Sequence, residues 1–154
     1  MDTINIWITW HREETFKNKD IIKQNLYLFL NDFIISNKLD KNNIIFNLWG
    51  ANGIDNWVWE YCINNNIKYN LYLPFKDKSK QITEWTKEQI ELYKNVIKNA
   101  SEINYWNWYF DRNRQIVDNS DIIISWLLKW KEKSWTWYTY KYAISKNKNV
   151  YNIF

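Results

Sequence analysis

The sequence predicts one α/β domain of Rossmann-like type over residues 1–154, a mainly parallel sheet with helices on both faces. Three observations predict it. Short β-branched or continuously apolar runs alternate with stretches of helical periodicity from end to end. A chain of 154 residues is long enough for a single core. No repeat, linker or low-complexity block divides it.

The elements follow in order. "INIWIT" at 4–9 is a β-branched first strand. Over 19–37, Ile22, Leu26, Phe29, Leu30 and Phe33 recur at helical spacing, so one stripe faces a core. "NIIFNL" at 43–48 is the near-continuous apolar run of a strand buried on both faces. In "IDNWVWEYCINNN", Ile54, Trp57 or Val58, Tyr61 and Cys62 share a helical face, and the asparagine run suits a helix C-terminus. "KYNLYL" at 68–73 is a third strand, stopped by Pro74, which has no N–H for a ladder.

The polar, lysine-rich stretch 74–83 reads as a mobile loop. Residues 84–99 read as a helix through Ile90, Tyr93 and Ile97, with Thr86 and Gln89 spaced as a capping box. "EINY" is strand-like, "WNWY" a loop, "FDRNRQIVDNS" a short helix and "DIIISWL" at 121–127 another buried strand. The loop 128–135 then leads to a last helix over about 136–147, and "NVYNIF" closes the chain as a strand.

Composition narrows the function classes. Cys62, the one cysteine, has no partner for a disulfide or thiolate metal site, which suits a reducing compartment. The start carries no basic n-region, and no apolar run approaches the roughly 18 residues of a membrane span, so a soluble, cytoplasmic protein is expected. The net charge of +4 comes from dispersed lysines, which favour anionic ligands without marking a nucleic-acid stripe. His11 is the only histidine, so no metal site, no histidine triad and no cofactor are expected.

In an open α/β sheet the loops leaving the carboxyl ends of the strands collect along one edge, where ligands bind. Three segments belong there: "TWHRE" after the first strand, "WGANGID" after the second and "KEKSWTWYT" before the last helix. Backbone N–H groups at a helix start are unsatisfied and sit at the positive end of the dipole, so each such turn attracts a phosphate. The expected contact residues are therefore Thr9, Trp10, His11 and Arg12; Trp49, Gly50, Ala51, Asn52, Gly53 and Asp55; and Ser134, Trp135, Thr136, Trp137, Tyr138 and Thr139. Arg12 can pair with a phosphate bidentately; Asp55 can stabilise its own helix start through the dipole, the favoured role, or bond a ligand hydroxyl or the adjacent loop. Arg112 and Arg114 lie two apart and cannot share a helical face, so one of them, taken as Arg112, is expected at the crevice. Ser134, Thr136 and Thr139 offer hydroxyls for a phosphate or for capping.

The segments "ITWHRE", "WGANGIDNWVWEYC", "YLPF", "RNRQIVDNSDIII" and "KSWTWYTYKYA" together resemble the SLOG superfamily of nucleotide-binding domains, most closely its YpsA-like branch. The resemblance spans nearly the whole chain. It implies a binder of a nucleotide or nucleotide-derived small molecule, a sensor or regulatory module that associates into homo-oligomers. Two other outcomes stay open. A Lonely Guy-type hydrolase of nucleoside monophosphates would use a glutamate after its last glycine-rich turn, where this chain has Tyr140 and Lys141. Single-stranded DNA binding, as in DNA-processing members, is the less favoured partner class.

The sequence departs from that family in one direction. Average usage of about 7% predicts roughly eleven glycines, yet Gly50 and Gly53 are the only two, beside 12 tryptophans. Trp10, Trp49, Trp135 and Trp137 stand where the family has glycine, Trp130 where a turn glycine is natural, and Trp59, Trp106 and Trp108 are further candidates. Trp57 and Trp85 fall where the family tolerates an aromatic. A gene in which UGA specifies glycine, translated with UGA as tryptophan, gives this pattern. The competing expectation is an aromatic-walled site that stacks bases.

Overall fold

The computed structural model describes residues 2–10, 18–48, 54–73, 87–105, 109–126 and 135–152. Their elements alternate as expected: β1 (Ile4–Trp10), α1 (Lys19–Ser36), β2 (Ile44–Leu48), α2 (Ile54–Asn64), β3 (Lys68–Leu73), α3 (Lys87–Asn99), β4 (Glu102–Tyr105), α4 (Tyr109–Asp118), β5 (Ile122–Trp126), α5 (Trp135–Ser145) and β6 (Asn149–Asn152). The six strands form one sheet in the order β4-β3-β2-β1-β5-β6. Every neighbouring pair is parallel. The chain is thus a single Rossmann-like α/β domain.

Strand alternation divides the core between two faces. On one, Ile6, Ile8, Phe46, Leu48, Tyr69, Leu71 and Ile124 meet Leu26, Leu30, Phe33 and Ile34 of α1, Val58, Tyr61 and Cys62 of α2, and Val96 of α3. On the other, Trp7, Tyr72 and Ile123 meet Ile116 and Val117 of α4 and Ala143 of α5. Parallel strands need such double cover because crossover helices lie on both faces. Each fully buried aliphatic side chain contributes about 1.5–3 kcal/mol. In α1 the expected stripe is the one buried. Among the described side chains of α3 the innermost is Val96, with Ile90 and Ile97 only partly covered; the side chain of Tyr93 lies outside those described.

Three helices stop in the same way without glycine. Lys38, Asn66 and Asn147 adopt left-handed backbone with φ of 53°, 54° and 57°. In each case the next N–H closes back on the helix: Leu39 on Ile34 O, Ile67 on Cys62 O and Lys148 on Ala143 O. This is the Schellman closure. Asparagine tolerates the left-handed region better than most residues, as the run after α2 led one to expect.

Several boundaries move. Asn43, expected in the second strand, belongs to a 3-10 turn, Lys41–Asn43, because Asp40 accepts from the Asn42 N–H at 2.9 Å and tightens the chain. The last helix starts at Trp135 rather than 136 and ends at Ser145 rather than 147, since Asn147 has already turned left-handed. Tyr109, expected in a loop, opens α4. The stretch 74–83 and the Thr86–Gln89 capping box lie outside the residues whose side chains are described. Among the described residues no helix is long and apolar enough to cross a membrane.

Candidate functional site

The strand order determines where a crevice can open. From β1 the sheet grows outward through β2, β3 and β4; the chain then returns to the other side of β1 to lay down β5 and β6. The reversal falls between β1 and β5, the position at which open α/β sheets bind ligands beyond their strand carboxyl ends. The last residues of these two strands, Trp10 and Trp126, are paired in register, so both strands end at one level. Helix α2 follows β2 and helix α5 follows β5, so both begin at this edge. The first turn of α5 contains no acidic residue, leaving its positive dipole end without compensation from its own side chains.

Several expected contact residues have described backbone. Thr9 and Trp10 are the last two residues of β1, Asp55 is the second of α2 and Arg112 the fourth of α4; Trp135, Thr136, Trp137, Tyr138 and Thr139 are the first five of α5. His11, Arg12, Trp49, Gly50, Ala51, Asn52, Gly53 and Ser134 lie outside the described residues. Two side chains of α5 have particular surroundings. The Tyr138 hydroxyl accepts from Arg114 at 3.1 Å on the outer side of the α4–α5 pair. Arg114 also lies 5.9 Å from the ring centre of Tyr142. Thr139, expected as an open hydroxyl, is 1% exposed and accepts from the Asn113 side-chain amide at 3.3 Å.

The segment RNRQIVDNSD acts as a joint between elements. Asn113, Ile116, Val117 and Ser120, at positions i, i+3, i+4 and i+7, are all buried against the sheet. Ser120 donates to Ile116 O at 2.6 Å and accepts from Asn47 Nδ2 at 3.0 Å. Asn47 in turn accepts from Asn70 at 3.4 Å, so β3, β2 and the turn before β5 are linked through side chains. Asp118 accepts from the Tyr142 hydroxyl at 3.0 Å. Asp121 accepts from the Asn5 N–H at 2.8 Å and its own N–H returns to Asn5 O at 2.8 Å, anchoring β5 beside β1.

Two polar atoms here were not anticipated. Asn113 Oδ1 and Ser125 Oγ are buried and lack a hydrogen-bond partner among the described residues. Leaving such an atom unmatched costs about 1–3 kcal/mol. Signals for both exist in the sequence: helical spacing puts Asn113 on the buried side of α4, and strand alternation puts Ser125 on the same face as Ile123.

The tryptophans can be compared with the backbone that holds them. Trp10 is in strand, and Trp135 and Trp137 are in helix. The positive-φ non-glycine residues described are Lys38, Asn66 and Asn147, none of them a tryptophan. The left-handed strain expected of tryptophans in glycine turns is therefore absent at Trp10, Trp135 and Trp137. Trp59 is half-buried in α2, and its indole N–H donates to the Tyr69 hydroxyl at 2.9 Å.

No family model matches the chain, and no curated protein matches it. Solved structures do. The DNA processing protein A (DprA) of Streptococcus pneumoniae superposes with a TM-score of 0.66 at 14% identity over 97% of this chain, which spans half the length of that one. A structural-genomics target designated TM1055 superposes with a TM-score of 0.61 at 13% identity, covering 96% of this chain and 72% of the other. At these identities the likeness is one of fold.

Proposed function

We propose that the chain binds a nucleotide or nucleotide-derived small molecule at the carboxyl edge of its sheet and acts as a sensor or regulatory module rather than a catalyst. The observation that carries this reading is the switch point between β1 and β5, beside a helix whose first turn has no acidic residue. The phosphate is assigned to backbone N–H groups of residues 50–53 and 135–138, with Arg12 adding charge. The resemblance of the loop sequences to YpsA-like domains supports the same ligand class. The absence of a glutamate at Tyr140 and Lys141 speaks against base hydrolysis of the Lonely Guy kind.

Thermal shift with nucleoside mono- and diphosphates tests it. A ligand at about 100 times its Kd adds about 2.7 kcal/mol, and at this chain length the midpoint should rise by about 5–10 °C. Released free base would move the reading to hydrolysis. The fold shared with a DNA processing protein makes an oligonucleotide the comparison ligand; binding that weakens steeply with salt, with no response to mononucleotides, would move it to DNA.

A further inference from the structure

We infer that Asn113 Oδ1 and Ser125 Oγ form a neutral floor beneath this crevice that takes a hydroxyl group of the ligand, the ribose of a nucleotide being the chemical class that fits. The inference rests on the nucleotide reading above and deepens it. Both atoms are buried and unpartnered among the described residues, in side chains 2% and 0% exposed. Natural proteins match nearly all such groups, and a matching group from outside the chain is one reason for an exception.

Topology brings the two together. Ile123, Val117 and Ala143 belong to one apolar cluster on this face of the sheet. Ser125 is two strand residues beyond Ile123, which is about 6.6 Å nearer the carboxyl edge. Asn113 precedes Val117 by one turn and Thr139 precedes Ala143 by one turn; both helices run back along the strands, so each is about 6 Å nearer the same edge. The three polar residues thus form one layer above the apolar cluster. Asn113 and Thr139 are already joined at 3.3 Å. Thr9, the register partner of Ser125, places this layer on the β1–β5 boundary, at the switch point itself.

The chemistry selects the ligand group. Asn113 Oδ1 only accepts, whereas a serine hydroxyl donates and accepts. A fully ionised phosphate carries no proton for Oδ1, and an ammonium, although it could donate to both oxygens, would bring a buried charge that neither neutral group offsets. A hydroxyl satisfies both at once. The division of labour is then a phosphate on the main-chain amides at the helix starts and a sugar hydroxyl on the neutral floor.

Calorimetric titration of the full chain with the four ribonucleoside 5′-monophosphates, their 2′,3′-dideoxy counterparts and inorganic phosphate tests the assignment. At least one ribonucleotide should bind tenfold or more tightly than its dideoxy form. Ser125→Ala should abolish that gap and keep or raise Tm, since it deletes an unmatched hydroxyl. Asn113→Ala is the second variant should Ser125→Ala fail to fold, and it too should close the gap. Nucleotide binding with less than a twofold gap, or with a gap that survives both variants, overturns this inference alone and leaves a trapped water as the occupant of the layer. Failure of every nucleotide to bind overturns this inference and the nucleotide reading together.

Discussion

The side-chain amide of Asn113 donates to the hydroxyl of Thr139 at 3.3 Å, joining α4 to α5 one turn from the carboxyl edge of the sheet. Both residues are buried, so neither group is open to bulk solvent. Thr139→Val keeps the volume and removes the acceptor. The expected loss is about 1–3 kcal/mol, the cost of an amide left unmatched in the interior, read from urea unfolding. A loss below about 0.5 kcal/mol would mean that Asn113 finds another acceptor.

Tyr69 relays hydrogen bonding across one face of the sheet. Its hydroxyl accepts from the Trp59 indole at 2.9 Å and donates to Val96 O at 2.5 Å, connecting α2, β3 and α3. Tyr69→Phe strands a donor and an acceptor at once, whereas Trp59→Phe removes only the donor. Tyr69→Phe should therefore cost more, about 1–3 kcal/mol against about 1 kcal/mol, by chemical denaturation. Equal costs would show that the Val96 bond contributes nothing.

Much of the fold is legible in the sequence, and the reasons are physical. Helical spacing in α1 and unbroken apolar runs in β2 and β5 report burial directly, because those elements touch the core along most of their length. What was missed has local causes. Asp40 draws Asn43 into a tight turn through its side chain, a competition that strand propensity does not register. Helical spacing and strand alternation place Asn113 and Ser125 on buried faces, but a polar residue between arginines or after isoleucines does not itself announce burial, so the two are legible only once the apolar neighbours on their faces are taken into account. Alternation of strands with helices implies a parallel sheet whose loops gather along one edge, but it does not specify the strand order β4-β3-β2-β1-β5-β6 that puts the switch point between β1 and β5. Ligand identity depends on side-chain placement around that edge, which periodicity does not encode.

Buried acidic groups on one face set an alkaline limit. Burial pushes Tyr61 up to about 12 from its ordinary 10.0, and burial likewise brings Tyr69 to about 12 despite the Trp59 hydrogen bond, which acts to lower it. Cys62 and Tyr27 are raised as well, both chiefly by burial, with Glu60 adding to the rise at Tyr27. A raised folded-state value means that the unfolded chain loses its protons first, so stability is full below the unfolded values and falls as pH rises through the window up to the folded ones. Unfolding free energy should stay flat from neutral pH to about pH 9 and decline above it. Tyr61→Phe should reduce that slope; an unchanged slope would place the titration elsewhere.

The same burial makes Cys62 inert. Its thiol is 0% exposed and held neutral, so a thiol reagent at pH 8 has neither access nor a thiolate to attack. Native protein should remain unlabelled over hours while urea-unfolded protein labels within minutes, as followed by intact mass. Rapid native labelling would reveal local opening of α2.

Tryptophan at the proposed anion-binding turns can be tested at the level of the gene. Trp10 occupies strand, and Trp135 and Trp137 occupy the first turn of α5, so none of the three carries left-handed strain that would reveal a displaced glycine. The argument for glycine there is instead one of access: a residue without a side chain leaves the N–H groups at a helix start open to a phosphate. Trp59 is different, because its indole N–H bonds the Tyr69 hydroxyl and its half-buried ring packs against the core. The expected codons are UGA at positions 10, 49, 135 and 137 and UGG at 59. Replacing Trp135 and Trp137 by glycine should then tighten nucleotide binding while costing up to about 1 kcal/mol of helix stability for each position. Replacing Trp59 by glycine should destabilise far more, through lost packing as well as backbone entropy. UGG at positions 10, 49, 135 and 137 would end the decoding explanation and leave tryptophans whose rings stack on a base, a state in which Trp137→Gly weakens binding instead.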